Sequence, residues 1–262
     1  MKPFDYLNEY YNNYDEDGRL ISRHGQVEYL TTLRYIQKYL NPGMKILEVG
    51  AGTGRYSIAL AKLGCPVEAV ELIPHNIDVF KQKITAEDCI TVRQGNAKDL
   101  SCFADASFDI TLLLGPMYHL YTVGDQRQAL AEALRVTKKG GLLFAAYCIS
   151  DASLINYGFK GGRIFEIIDK GLINTKTFKT ISNPEDVFQL YRKEDIDALI
   201  AGFHVNRLHY VATDLMTNYM RDVIDAMDDE LFAMYLKYHF AVCERSDMVG
   251  TTHHSLDIVR KT

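Results

Sequence analysis

The feature that most limits what this chain can fold into is a short apolar run followed directly by three glycines. Residues 46–56 read Ile-Leu-Glu-Val-Gly-Ala-Gly-Thr-Gly-Arg-Tyr. The apolar run predicts a buried strand, and the residues after the last glycine predict a helix. Gly50 and Gly52 carry no Cβ, so the main chain can turn sharply there and a ligand can approach it closely. The free N–H groups at the helix start would face that ligand.

Short apolar runs alternate with helical patterns after this segment, which is typical of a βαβ series. A capping box made by Asp125 and Gln128 is predicted to start the helix before the fifth strand, and Gly140-Gly141 to end it. Seven strands are predicted, at 45–50, 66–72, 89–94, 108–114, 142–149, 204–212 and 254–259.

The chain is predicted to form one domain with a helical extension in front of it. Residues 1–40 contain an imperfect helical stripe that ends at a Pro-Gly stop. The whole chain of 262 residues is slightly short for two independent cores of ordinary size. Two mostly helical stretches, at about 151–200 and 215–250, interrupt the later strands. We interpret them as insertions that cap the sheet, because neither has enough apolar length for its own core.

Charge and cysteine content exclude several classes of protein. The chain has 34 acidic and 29 basic residues and no run of five or six Lys or Arg, which disfavours a nucleic-acid partner. Five cysteines without a CxxC pair argue against a disulfide framework and a zinc cluster. The N-terminus lacks a signal-peptide layout, and no apolar run reaches the ~18 residues that span a bilayer. We therefore expect a cytoplasmic protein, monomer or homodimer, without a membrane partner.

A carboxylate lies 21 residues after Gly50, at the end of the next predicted strand. Glu71 ends the second predicted strand, where a carboxylate can accept hydrogen bonds from both hydroxyls of a ribose, as in dinucleotide-binding folds. The alternative is a solvated acid at a strand end. The dinucleotide fingerprint is G-x-G-x-x-G, whereas this chain has G-x-G-x-G preceded by Glu48. That difference disfavours a nicotinamide or flavin cofactor.

The run from Glu48 to Gly54 resembles the signature loop of class I S-adenosylmethionine-dependent methyltransferases. Later segments are similar to the further motifs of that family, at 67–72, 94–100, 107–114 and 139–141. The resemblance covers about residues 40–150, and the two late strands fit the closing hairpin of the family. It implies an α/β fold with a doubly wound, seven-stranded, mostly parallel sheet of the Rossmann-like kind. It also implies S-adenosyl-L-methionine as cofactor and a small-molecule methyl acceptor.

The resemblance further implies which residues hold the cofactor. The glycine loop would pass under the methionine half, and Glu71 would bind the ribose. Leu72 and Ile73 would flank the adenine, with packing in the core as the alternative. Asn96 stands where Asp is commoner, but its side-chain oxygen can still accept from the adenine amino group. A main-chain carbonyl after the fourth strand would serve the amino group of the cofactor. The implied positions are Glu48, Gly50, Gly52, Gly54, Glu71, Leu72, Asn96, Ala97 and Leu114.

Two residues after the fourth strand are candidates for the chemistry. Methyl transfer from a sulfonium is an in-line displacement, so the protein positions the two reactants and, where needed, removes a proton. His119 is the first choice for that base, because a free imidazole has a pKa near ~6.5. Structural hydrogen bonding is the alternative for His119. Tyr118 either lines the acceptor pocket or packs beneath the cap.

The remaining candidates leave alternatives open. The N-terminal Tyr10, Tyr11, Tyr14, Arg19, Arg23 and His24 either fold over the cofactor or form a solvated helix pair. His253 and His254 should point to opposite faces of a strand, so no metal site is predicted. A cofactor-binding regulatory protein without turnover and a dinucleotide-dependent oxidoreductase remain as other functions.

Overall fold

The computed structural model describes residues 2–262 and contains one eight-stranded sheet. Across the sheet the strand order is β3-β2-β1-β4-β5-β8-β7, and β6 pairs with the end of β5. The strands are parallel except that β8 is antiparallel to both β5 and β7. The predicted doubly wound, mostly parallel sheet is confirmed. Beyond the seven predicted strands it contains one more, the two-residue strand β6. In chain order the strands are β1 (Ile46–Val49), β2 (Val67–Glu71), β3 (Ile90–Gln94), β4 (Phe108–Leu113), β5 (Thr137–Ile149), β6 (Leu190–Tyr191), β7 (Val205–Ala212) and β8 (His254–Lys261).

Helices precede, connect and cap these strands. No helix within residues 2–262 combines the length and the apolar character needed to cross a bilayer. Single turns of 3₁₀-helix and one π-helical segment occupy Pro116–His119, Leu154–Lys160, Pro184–Asp186, Thr217–Met220 and Val249–Thr251. The α-helices are α1 (Pro3–Asn13), α2 (Arg23–Gln37), α3 (Arg55–Lys62), α4 (Pro74–Lys83), α5 (Val123–Val136), α6 (Ser150–Ser153), α7 (Ile164–Asp169), α8 (Lys193–Ile200), α9 (Arg221–Asp225) and α10 (Asp229–Val242).

The central strands are buried on both faces, which explains their nearly unbroken apolar sequence. All four residues of β1 are buried. Its side chains alternate between faces: Leu47 and Val49 pack with Leu130 of α5, whereas Ile46 packs with Ile36 of α2. The helices on the two faces therefore hold β1 and the turn that follows it in a fixed position.

Two insertions, one on each side of α8 and β7, pack over the sheet and the N-terminal helices. We call residues 151–192 the first cap and residues 215–250 the second cap. Ile224 and Phe232 of the second cap pack against Val27 of α2. Helix α8 differs, because Ile196 and Leu199 belong to the buried cluster that also contains α5. The helical layer on that face of the sheet thus continues into α8.

The start of α5 corrects one prediction. The helix begins at Val123, and its N-cap is Thr122, whose hydroxyl accepts a hydrogen bond from the Asp125 N–H at 3.1 Å. The predicted capping box of Asp125 and Gln128 is therefore wrong. Thr122 occupies the position that satisfies a free N–H of the first turn. Gly140, predicted to end the helix, lies inside β5 with a φ of 78°.

Candidate active site

The parallel strands end at one edge of the sheet, and the predicted binding residues lie there. Gly50 follows β1, Glu71 ends β2 and Leu114 follows β4. Because β8 runs antiparallel, its first residue, His254, pairs with Cys148 near the end of β5 at the same edge. Ligands of open parallel sheets bind at this edge. The topology therefore brings motifs from across the chain to one place.

The three glycines of the turn all have positive φ, at 75°, 54° and 84° for Gly50, Gly52 and Gly54. A Cβ on Gly50 would lie 2.6 Å from Cδ of Pro116, and one on Gly54 would overlap the ring of Phe80. These two glycines are thus required by backbone conformation and by packing within the protein. The predicted close approach of a ligand to the main chain at Gly50 stays a prediction. The nearest atom to a Cβ on Gly52 is a side-chain carbon of the N-terminal segment, at 3.6 Å.

Glu71 connects the end of β2 to the glycine turn. Its carboxylate is buried, with 5% of the residue exposed, and accepts from the Gly52 N–H at 2.7 Å and the Ile73 N–H at 2.9 Å. Burial raises the pKa of Glu71, and these two N–H donors oppose that shift. Each carboxylate oxygen has a second acceptor position. Glu71 therefore fixes the turn and can still accept hydrogen bonds from a ligand.

Glu48 lies inside the protein beneath the turn. It is 1% exposed and accepts a hydrogen bond from the hydroxyl of Ser57 on α3. Burial raises the pKa of Glu48 to about 8, because the charged form is poorly solvated there. The carboxyl group ties β1 to α3 and forms part of the wall of a small cavity at the turn.

The predicted adenine-binding residues already make contacts within the protein. The side-chain oxygen of Asn96 accepts from the Lys98 N–H at 3.0 Å, and Ala97 is buried in the core. Leu72 packs against the buried cluster that contains Leu7 of α1. Three groups at this part of the edge could still contact a ligand. They are one lone pair of the Asn96 oxygen, the main chain of Ala97 and the side chain of Leu72.

The loop after β4 folds back on itself. The hydroxyl of Tyr118 donates to the carbonyl of Leu114 at 2.7 Å, which uses one of the two lone pairs of the carbonyl predicted to face the cofactor. Burial raises the pKa of Tyr118 far above its ordinary value, so this hydroxyl remains protonated. Tyr118 therefore acts as a hydrogen-bond donor within the loop.

Both ring nitrogens of His119 have partners. Nδ1 lies 2.9 Å from the carbonyl of Val187, which can only accept, so Nδ1 carries the proton and Nε2 accepts from the Tyr11 hydroxyl at 3.0 Å. Burial lowers the pKa of His119 to about 4, so the ring is neutral at pH 7. His119 does not contribute to the wall of the larger cavity described below, whereas Tyr118 does. These contacts match the structural alternative for His119 rather than a base facing a substrate.

Residues 14–22, which we call the strap, cross over the glycine turn. The carboxylate of Asp17 accepts from the Thr53 hydroxyl at 2.9 Å and forms an ion pair with Lys83. Its main-chain carbonyl accepts from Arg55 at 2.7 Å. Arg19 forms ion pairs with the carboxylates of two further acids at 3.2 and 2.8 Å. The strap is thus fastened to the turn and to α2.

The N-terminal tyrosines fold inward, which contradicts the alternative of a solvated helix pair, whereas their folding over the cofactor stays a prediction. Tyr10, Tyr11, Tyr14 and Arg19 contribute to the wall of the larger cavity. Arg23 differs, because it donates to Asp229 at 2.8 Å in the second cap. The N-terminal helices therefore form one side of a closed site.

Two cavities adjoin at this edge of the sheet. The smaller, about 50 Å³, lies against the glycine turn with Glu48 and Leu114 in its wall. The larger, about 670 Å³, lies between the N-terminal helices, the first cap and the start of β8. Glu16, Arg19 and Tyr118 line both cavities and separate them. Only the larger volume is in the range of pockets that enclose a small molecule.

The adjacent histidines depart from the prediction that they point to opposite faces. His253 precedes β8 instead of lying within it, and the two rings are 4.8 Å apart, both on the wall of the larger cavity. One ligand atom from each of Asp214, His253 and His254 lies within 4.8 Å of the others. The Asp214 carboxylate, however, already accepts five hydrogen bonds from the protein. A metal ion would have to replace some of these donors.

Several contacting residues at the site were not singled out from the sequence. Asp17 and Glu28 hold the strap, Arg221 lines the larger cavity, and Asp214 lies behind the cavity wall. None of the four belongs to a motif. The sequence could have indicated Asp214, because this residue follows β7 at the edge of the sheet where the other predicted site residues lie.

Comparisons with known proteins match the core of this chain. A family model described as "Methyltransferase domain" matches residues 47–145, from β1 into β5. A demethylmenaquinone methyltransferase from Renibacterium salmoninarum is 41% identical over 106 residues, which are 40% of this chain and 41% of that protein. A ubiquinone biosynthesis O-methyltransferase from Methylocella silvestris is 34% identical over 128 residues, 48% of each chain. The chain spans less than half the length of these curated relatives.

The fold is similar over a longer span than the sequence. A crystal structure from Thermotoga maritima, described as an S-adenosylmethionine-dependent methyltransferase and possible histamine N-methyltransferase, matches 99% of this chain and 100% of its own. The TM-score is 0.59 and the identity 16%. At this identity the likeness concerns the fold alone.

Proposed function

We propose that this chain, which belongs to the class I S-adenosylmethionine-dependent methyltransferases, transfers a methyl group from S-adenosylmethionine to a small molecule in the larger cavity. One observation carries the proposal. The glycine turn, which donates a hydrogen bond to Glu71, lies on one side of a wall formed by Arg19 and Tyr118, and the 670 Å³ cavity lies on the other. A donor at the turn and an acceptor in the cavity would meet at this wall.

The residues at the sheet edge fit the donor. The Glu71 carboxylate, which accepts from the Gly52 and Ile73 N–H groups, would use its remaining lone pairs for the ribose hydroxyls. Asn96 and Ala97 would serve the adenine, with Leu72 against its face. The carbonyl of Leu114 would serve the amino group through its second lone pair. The glycine loop, with Glu48 beneath it, would lie along the methionine half.

The protein contributes alignment and exclusion of water. When bound, S-adenosylmethionine supplies a methyl group activated by the positive sulfonium. Arg19 and Tyr118 are held in the wall by ion pairs and by the hydrogen bond to Leu114. Once the strap has closed over the donor, the wall is therefore in place before the acceptor enters. For His119 we propose a positioning role, because both nitrogens are engaged with Tyr11 and with the first cap.

The strap must move when the donor enters. A cavity of about 50 Å³ is far smaller than the ~300 Å³ or more of a pocket for a nucleoside-sized ligand. Asp17 is the residue that fastens the strap to Thr53 and Lys83 beside the turn. We therefore propose that these contacts open to admit the donor, and that the strap then covers it.

A small acceptor is favoured by the nature of the cavity and of the relatives. The two curated relatives are named for demethylmenaquinone methylation and for ubiquinone biosynthesis, and both names concern small molecules. The family match ends at residue 145, ahead of both caps, and the caps supply much of the cavity wall. The identity of the acceptor therefore depends on residues outside the matched segment.

Calorimetric titration with S-adenosylmethionine and S-adenosylhomocysteine tests the proposal. Both should bind the purified protein, and Glu71→Ala should weaken both by about tenfold or more, because a buried acceptor of two hydrogen bonds is removed. Glu68→Ala is the matched control, since Glu68 lies on the same strand and pairs with Arg93 instead of the turn. No binding by the wild type, or equal losses in the two variants, would contradict the proposal.

A further inference from the structure

The far wall of the larger cavity contains a group of polar residues that the proposed donor site does not use. His254, Asn218 and Arg221 line the cavity there, and Asp214 lies behind them. The four residues come from the second cap and the loop before it, and from the first position of β8. They form one connected hydrogen-bonded array.

Asp214 is the fixed centre of this array. It is 1% exposed, and its Oδ1 accepts from the Thr252 hydroxyl at 2.6 Å and from the N–H groups of His253 and His254 at 2.8 and 3.1 Å. Its Oδ2 accepts from the Asn218 amide and from Nδ1 of His254, the latter at 2.7 Å. These donors hold the pKa of Asp214 far below its usual value. A buried, ionised carboxylate with five donors sets the orientation of the groups bonded to it.

His254 is bound on one side only. Its Nδ1 donates to Asp214 and also lies 3.4 Å from the carboxylate of Glu28 on α2. Its Nε2 makes no hydrogen bond to any of residues 2–262 and is not sealed from solvent. With Nδ1 against the two carboxylates, Nε2 is the nitrogen that a molecule in the cavity can reach.

The charges around His254 keep its ring protonated. Glu28 and Asp214 raise the pKa of His254 well above its ordinary value, against the effect of burial, and the Cys148 side chain on β5 acts in the same direction. The adjacent His253 behaves oppositely, because burial lowers its pKa to about 4. Neighbouring titratable groups whose pKa values are driven apart in this way are typical of functional sites.

Arg221 provides a second cation without a carboxylate partner. Its Nε and Nη2 donate to the side-chain oxygen of Asn218 at 2.8 and 2.5 Å, and Asn218 donates in turn to Asp214. Within residues 2–262 no carboxylate oxygen lies within 4.0 Å of the Arg221 guanidinium. The other two arginines of the cavity wall, Arg19 and Arg163, both form ion pairs.

We infer that Arg221 and the free Nε2–H of His254 form an anion-binding subsite in the larger cavity, and that the methyl acceptor carries a carboxylate there. The inference rests on the proposed function, because the cavity is taken as the acceptor site. A guanidinium offers two parallel donors that match the two oxygens of a planar carboxylate, and a charged imidazole adds a third. Tyr10, Tyr14 and Phe188 form apolar surfaces in the same cavity, so an aromatic acid fits it.

Binding of simple aromatic probes tests the inference. The protein saturated with S-adenosylhomocysteine is titrated with benzoate, benzamide and phenyl phosphate, and each dissociation constant is measured by calorimetry or ligand-observed NMR. Benzoate should bind about tenfold or more tightly than benzamide, since charge-assisted hydrogen bonds are lost in the amide. Arg221→Gln and His254→Gln should each remove most of that preference. Arg163→Gln, in the same cavity wall, should leave it unchanged.

The outcomes separate this inference from the proposed function. Equal binding of benzoate and benzamide, or no binding of either, overturns the subsite, and tighter binding of phenyl phosphate overturns the carboxylate class. A marked loss of S-adenosylhomocysteine affinity in Arg221→Gln also overturns it, because the subsite would then hold the donor. Thermal unfolding of each variant identifies any that fail to fold, and either substitution alone still tests the subsite if the other variant does not fold. Failure of the wild type to bind S-adenosylhomocysteine contradicts the proposed function, and the probe titrations are then compared without it.

Discussion

The donor edge and the acceptor cavity are built in different ways. The donor edge comes from residues 46–114, where short strands end and the backbone itself makes the turn. The acceptor cavity comes from the strap, both caps and the start of β8, which are far apart in the chain and meet through side chains such as Glu28 and His254. A site made by backbone geometry tolerates few residue types at its key positions. A site made by side chains on inserted segments can vary while the fold persists.

The glycines give the largest expected effect and test the comparison most directly. Gly54→Ala should lower the free energy of unfolding by roughly 3 kcal/mol, because it combines a left-handed backbone with a clash against the buried Phe80 ring. Gly162→Ala in the first cap, with a φ of 69° and no neighbouring atom within 4 Å, should cost only about 1–2 kcal/mol. Urea unfolding measures both. Equal losses would show that the turn is no more constrained than the cap.

Glu48 should make the stability of the donor edge depend on pH. Its pKa in the folded protein is about 8, above the ~4.3 of an unfolded chain, so the folded state keeps a proton that the unfolded state releases. The contribution of Glu48 is therefore complete below about pH 4.3 and is lost as the pH rises towards 8. The slope is at most about 1.4 kcal/mol per pH unit.

Glu48→Gln should remove this slope, because an amide does not titrate. The measurement is the free energy of unfolding in urea at a series of pH values between 5 and 8, roughly the window set by the two pKa values. Glu68→Gln, on the neighbouring strand, is the control and should keep the slope of the wild type. A Glu48→Gln protein with an unchanged slope would contradict the assigned cause.

The core could be predicted because its signals are local. The first four predicted strands agree with the observed ones to within one residue at each end, and a methyltransferase-domain model matches residues 47–145. The fifth strand starts earlier than predicted, at Thr137, because Lys138 to Gly141 carry no apolar signal. Thr137 pairs with Phe108 of β4, and the register then shifts before Leu142 pairs with Ile110. Strand β6 has only two residues, which is too short for any periodicity.

The acceptor side could not be predicted to the same depth, because its contacts are tertiary. The position of His119 after β4 was predicted, but the direction of its ring is set by Val187 and Tyr11, from the first cap and α1. Arg221 and Asp214 carry no motif, and only folding brings them beside His254. Sequence periodicity indicates that the caps are helical but does not indicate which polar side chains face one another.

The contact between α1 and His119 gives a smaller effect on the acceptor side. Tyr11→Phe should lower the free energy of unfolding by about 1 kcal/mol, because buried Nε2 of His119 loses its donor. Tyr6→Phe is the matched control on the same helix, where the hydroxyl donates to exposed Glu185 at 3.0 Å. That substitution should change the stability by only a few tenths of a kcal/mol. If the free energy of unfolding falls equally in the two variants, the buried hydrogen bond stabilises the protein no more than the exposed one.

The strap connects the two regions and gives the smallest effect. Asp17 fastens it through Lys83 and Thr53, which are partly exposed contacts worth about 0.2–1 kcal/mol. If these contacts oppose entry of the donor, Asp17→Ala should tighten S-adenosylhomocysteine binding by about two- to fivefold in calorimetry. Asp15→Ala is the control, because the Asp15 carboxylate accepts from Gly18 within the strap and makes no contact with the turn. Weaker binding in Asp17→Ala would mean that the strap stabilises the bound donor more than it opposes donor entry. The donor edge would then depend on side-chain contacts as much as the acceptor cavity does.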